Sequence, residues 1–219
     1  MIEKKYVSEI RFIPRPDFLD MMGKMANALV NSSFTNWKIS QNRVEVTNKD
    51  SLFFVTYSSL GFVTVKKDEM KDCMERLSIA LNILGDLPPT RWGVRIYTIA
   101  SSNKQFPKLL DEYKKELLNF KPSDFSKIGG ELKDVGVSYV FQRDAQKYHI
   151  QTGPMEKEQA KDFFPDAKLT KRGIFVDLDI YKDSFFVDDK RKRKIENFIN
   201  DSFIEGEKVI DQFLDTIKQ

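Results

Sequence analysis

Apolar and polar residues alternate at the start of the chain. Over 5–14, Tyr6, Ile10 and Phe12 interleave with Val7, Glu9 and Arg11, the period of a strand with one wet face. Pro14 and Pro16 end that strand, and Asp17 reads as an N-cap. The period then changes to helical spacing, with Phe18, Leu19, Met22, Met25, Ala26, Leu29 and Val30 recurring through residue 31. Segments 36–47, 52–58 and 61–66 are β-rich runs separated by turn chemistry at 48–50 and 58–61, which predicts strands in hairpin succession. Asp68 opens a second helix whose apolar face is Met70, Cys73, Met74, Leu77, Ala80, Leu81 and Leu84. Gly85, followed by Pro88 and Pro89, stops it.

The order then restarts. Over 90–100, Trp92, Val94 and Ile96 alternate with Arg91, Gly93 and Arg95, and a helix follows over 104–119 with Pro107 confined to its first turn. Residues 121–131, with Pro122, Ser123, Gly129 and Gly130, read as a mobile loop. Val135, Val137, Tyr139 and Phe141 share a parity, 144–146 form a turn, and Tyr148, Ile150 and Thr152 return. A short helix over 155–164 precedes a strand over 173–182. The last helix, 190–218, carries a stripe from Ile195 to Ile217 and at 1.5 Å per residue is about 40 Å long. Ser202 and Gly206 fall on that stripe, where small side chains admit another backbone closely, most simply the protein's own core.

Elements over 4–86 therefore recur in order over 90–218, without recurrence of residue identity. The predicted architecture is a single α+β domain spanning 1–219, built of pseudo-duplicated β-α-β(2-3)-α halves. A largely antiparallel sheet carries helices on one face, including a long C-terminal helix, and leaves the other face partly wet.

Composition adds bounds. Of 219 residues, 41% are hydrophobic and 32% charged, which argues against disorder. The 18 phenylalanines are first of all core filling. With 36 basic and 33 acidic residues the net charge is +3, so attraction to nucleic acid or membrane has to come from a local patch. Cys73 is the single cysteine; its helical setting makes it a buried structural thiol, and its isolation points to a reducing compartment. No signal-peptide pattern and no long apolar run is present, so the expectation is a cytoplasmic protein with no membrane association.

Strand parity assigns candidate side chains to the wet face: Glu9 and Arg11; Arg91, Arg95 and Tyr97; His149 and Gln151; Asp177, Asp179 and Tyr181. Such a mixture suits a peptide, a nucleic acid strand or a small polar ligand, or simply pairs internally across strands. Asp177 and Asp179 are the closest carboxylates, yet no further ligand stands at a metal spacing, and no metal or other cofactor is expected. His149 is the only histidine, and no Gly-x-Ser-x-Gly elbow accompanies it. Gly129 and Gly130 lack the spacing of a phosphate loop. The run Lys190, Arg191, Lys192, Arg193 and Lys194 sets five cations at a helix N-terminus, where the macrodipole disfavours them, so phosphate binding is one reading and a solvated turn the other.

Pro89, Thr90, Arg91, Gly93, Val94 and Arg95, then Gly173, Phe175, Val176, Asp177, Leu178, Asp179 and Tyr181, then a long terminal helix, together resemble a sporadically distributed prokaryotic protein family of unknown function. The resemblance covers nearly the whole chain and includes an opening strand like that over 7–12. It implies an accessory gene, with patchy distribution suggesting an antiviral defence role, and carries over no functional residue. The expectation is a non-enzymatic interaction or scaffold protein with a protein partner, as a subunit of a multi-protein complex. One alternative is a nucleic-acid-binding module using 190–194 and the open face. The other is a small-ligand sensor or enzyme centred on Arg95, His149, Asp177 and Asp179.

Overall fold

The computed structural model describes residues 1–85, 88–117, 133–165, 172–183 and 191–218; the expected loop 121–131 lies outside them. The elements run β1 (Ile2–Phe12), α1 (Phe18–Leu29), β2 (Asn36–Ser40), β3 (Arg43–Thr47), β4 (Ser51–Thr56), β5 (Ser59–Thr64), α2 (Met70–Leu84), β6 (Pro89–Ser101), α3 (Phe106–Leu117), β7 (Val137–Arg143), β8 (Gln146–Met155), α4 (Lys157–Phe163), β9 (Gly173–Asp183) and α5 (Arg191–Lys218). The strands form one nine-stranded sheet in the order β2-β3-β4-β5-β1-β6-β9-β8-β7. Every neighbouring pair is antiparallel.

The recurrence of elements becomes a recurrence in space. β1 and β6 pair at the centre, with Val7 opposite Arg95. β5 flanks β1 and β9 flanks β6, and each is followed in the chain by a long helix, α2 or α5. The two halves are thus arranged about the β1–β6 pair in one continuous sheet.

Alternation along the strands decides which side the helices cover. Tyr6, Ile10 and Phe12 on β1, Trp92, Val94 and Ile96 on β6, and Val176, Leu178 and Ile180 on β9 are buried in one core. Burying each such side chain contributes roughly 1.5–3 kcal/mol. α1 packs on β2 and β3, α2 on β4 and β5, α3 on β8, and α5 on β6 and β9. Gly206 is what seats α5: a Cβ there would stand 2.8 Å from Ile96 Cδ1 and 3.3 Å from Ile180 Cδ1, so the small-residue notch is filled by the protein's own sheet. Tyr6 Oη donates a 2.7 Å hydrogen bond to Glu207 next to it. Cys73 is buried, and burial pushes its thiol up to about 12.

The short α4 lies on the opposite side of the sheet. Ala160 and Phe164 are buried against Ile99 and Phe175, with Tyr97, Met155 and Phe163 around them. A capping box holds this helix: the Glu156 carboxylate accepts from the N3 backbone, and Gln159 Oε1 accepts from Glu156 N at 2.9 Å.

Two local expectations change. The segment 36–47 is two strands and not one, folding back at 41–42 so that Ser40 faces Arg43. Asp17 does not cap α1 through its side chain; Arg15 Nε donates to its carboxylate at 3.1 Å instead. The stop at Gly85 is as expected, with φ of 65° and its N–H donating to Leu81 O at 3.1 Å.

Candidate functional site

The residues assigned to the wet face by parity stand together on it. Register places Tyr97 opposite Asp177, Arg95 opposite Asp179 and Gly93 opposite Tyr181. On the next strand His149 faces Asp179 and Gln151 faces Asp177, while on the other side Arg11 faces Arg91 and Glu9 faces Gly93.

The ion pairs do not follow the register. Arg95 Nε donates to Asp177 Oδ1 at 2.7 Å, and Arg95 Nη2 reaches Asp177 Oδ2 as well, a two-point clasp set one position off the direct pair. Asp177 is 5% exposed, so this clasp neutralises a buried charge. The Asp177 hydrogen bond holds the Arg95 guanidinium above its ordinary value. Arg91, whose direct neighbour is Asp183, leans away from it along β9 to donate to Asp179 Oδ2 at 2.8 Å. Its path crosses the Tyr181 ring at 4.0 Å from the centroid. Gly93 leaves room for Tyr181 opposite it: a Cβ there would stand 2.9 Å from Tyr181 Cβ and 3.0 Å from Ile180 O. Burial pushes the Asp179 carboxyl up, and Arg91 and Arg95 oppose that push.

The cations around this cluster are therefore matched one by one. Arg11 is paired with Glu9 at 2.8 Å, Arg91 with Asp179, Arg95 with Asp177 and Lys147 with Asp183 at 2.7 Å. Arg95 also lies 4.9 Å from the Tyr97 centroid. A shallow recess of about 160 Å³ remains over Gly93, bordered by Glu9, Arg11, Arg91, Arg95 and Asp179. A phosphate entering it would have to compete with carboxylates already held by each of these guanidinium groups.

His149 is not joined to the aspartates by a hydrogen bond; its Nε2 shares a 2.8 Å bond with Ser138 Oγ on β7. Among the described residues no group of His, Cys, Asp and Glu is arranged to hold a metal ion. Of the basic run, Lys190 lies outside the described residues, Arg191 and Lys192 open α5, and Arg193 and Lys194 are exposed. No described helix is long and apolar enough to cross a membrane.

Parity alone did not reveal the groove beside α4. This cleft of about 770 Å³ has Leu52, Val63 and Val65 on its sheet side and Phe163, Phe164 and Pro165 on its helix side, with Glu3, Lys5, Lys49 and Asp50 also lining it; the Lys4 ammonium leaves it to pair with Asp211 on α5 at 3.2 Å. Lys5 Nζ donates to Phe163 O at 3.2 Å, and burial holds this amine below its ordinary value. A second groove of about 320 Å³ lies beyond α4, between Val137, Gln151, Met155 and Gln159. The signal was the pair Phe163 and Phe164 at the end of a polar helix, but it did not say which face of the sheet they cover.

No protein-family model matches the chain, and no curated protein matches it.

Proposed function

We propose that the protein is a non-enzymatic interaction module that holds a protein partner against the uncovered sheet face. The groove beside α4 takes an extended partner segment bearing apolar side chains and a carboxylate. The groove itself carries the reading: an apolar channel formed where a short helix stands on an otherwise open sheet, with the half-buried Lys5 amine at its margin. A carboxylate arriving there would repay the desolvation of Lys5, and Val65, 45% exposed, would be covered.

The nucleic-acid reading is less well supported by the same face. Attraction for a phosphate backbone scales with cations whose counterions can be released, and the arginines here are matched by carboxylates within the protein. The family resemblance, with its expectation of a defence assembly, would make the partner another subunit of that assembly.

Affinity purification of the full chain, with and without nuclease, tests this. A protein retained after nuclease and released by either Lys5→Glu or Val65→Arg supports the reading. Recovery of nucleic acid alone, or a partner indifferent to both substitutions, contradicts it.

A further inference from the structure

The sheet has two outer strands, and they are not alike. β2 is Asn-Trp-Lys-Ile-Ser and β7 is Val-Ser-Tyr-Val-Phe-Gln-Arg. Both expose apolar side chains: Trp37 at 61% and Ile39 at 41% on β2, Val140 at 70% and Tyr139 at 39% on β7. An outer strand offers a row of backbone donors and acceptors to any strand that fits it, and a central lysine is a common means of discouraging this. β2 has Lys38 at its midpoint. Were β2 to pair antiparallel with its own copy about that midpoint, two ammonium groups would face each other. β7 has no lysine, proline or glycine. Its one charge, Arg143, is at the end and is drawn toward α5 by Glu205 at 2.5 Å.

β7 is also self-complementary. Antiparallel pairing about Val140 sets Val140 against Val140, Tyr139 against Phe141, Ser138 against Gln142 and Val137 against Arg143. No like charges meet, and small and large side chains alternate. On the helix side an aromatic layer already leads outward: Phe141 is stacked on Tyr148 at 4.6 Å, and Tyr139 meets Phe213 edge-on at 6.4 Å. A second copy would continue that layer with its own Tyr139 and Phe141. Because the same strand serves both copies, the contact closes on itself and leaves β2 at both ends of the joined sheet, where Lys38 guards it.

We infer that two copies of this chain associate through β7, antiparallel and centred on Val140, joining their sheets into one. The contact lies at the far end of the sheet from the groove beside α4 and does not depend on what that groove binds.

Sedimentation velocity of the full chain over a concentration series is the test, with Val140→Lys, Val140→Glu and Lys38→Glu variants compared by circular dichroism to establish folding. The native chain and Lys38→Glu should reach twice the chain mass. Val140→Lys and Val140→Glu alone should remain monomers, and their mixture should recover the dimer because residue 140 faces its own counterpart. A monomeric native chain overturns the inference, as does a dimer untouched by Val140→Lys or a mixture that stays monomeric. Open-ended growth abolished by Lys38→Glu would also overturn it, by showing β2 pairing with β7.

Discussion

Tyr6, at the middle of the sheet, donates a 2.7 Å hydrogen bond to Glu207, at the middle of α5. Lys67 adds an ion pair to the same carboxylate from the loop before α2. Burial alone would raise the Glu207 carboxyl, but the bonds from Lys67 and Tyr6 outweigh it and hold the group below its ordinary 4.5. A carboxylate so depressed contributes stability that is present above the unfolded value and is lost as pH falls through the folded one. Tyr6→Phe should therefore cost about 1.5 kcal/mol at neutral pH, with the deficit shrinking below about pH 4.5. Urea unfolding of both proteins over pH 3–7 measures it, and a pH-independent deficit would show that the bond is not to a charged group.

Asp177 and Asp179 are two residues apart on one strand, yet their substitution should differ in cost. Asp177→Asn breaks a two-point clasp around a buried charge and should cost about 2 kcal/mol. Asp179→Asn removes a more exposed ion pair together with a burial penalty, and should cost under about 1 kcal/mol. In a double-mutant cycle, Arg95→Met with Asp177→Asn should cost less than the sum of the two single changes, since the second no longer strands a charge.

The glycines also make a directional prediction. A Cβ on Gly61 would stand 2.0 Å from Ser8 O, a backbone atom of the central strand, whereas on Gly206 the nearest obstacle is Ile96 Cδ1, the tip of a side chain. Gly61→Ala should be strongly destabilising. Gly206→Ala should be near neutral, because a gain of about 1 kcal/mol in helix propensity offsets the repacking. Gly206→Leu should cost about 1–3 kcal/mol through overpacking. Thermal melts of the three variants rank them.

Cys73 should react with iodoacetamide at a rate set by opening of the fold. Its thiol is buried and pushed up to about 12 by that burial, with the Ser51 hydrogen bond working the other way. Labelling should quicken sharply in urea near the unfolding midpoint and stay slow below it.

Most of the architecture was readable because strands and helices imprint different periods. Parity alone grouped Arg95, Tyr97, Asp177 and Asp179 on one face, and the register brings them together. Three features were not readable for physical reasons. The turn at 41–42 lacks glycine or proline and is flanked closely by Trp37, Ile39, Val44 and Val46, so 36–47 read as one strand although Ser40 and Asn42 suit a turn. The diagonal pairing of Arg91 with Asp179 depends on side-chain reach over the Tyr181 ring. The placement of α4 is a tertiary choice: an apolar pair such as Phe163 and Phe164 needs cover, and either face of the sheet could provide it. The groove of the candidate site follows from that last choice, which is why Lys5 and Val65 went unnoticed in the sequence.

The most direct test of the interaction reading is chemical cross-linking of the purified complex with its protein partner, read by mass spectrometry. Partner links to Lys5 and Lys49, which line the groove, are the predicted result. Links confined to Lys24 on α1 and Lys71 on α2, exposed on the helix-covered side, would place the partner on the wrong face and contradict it.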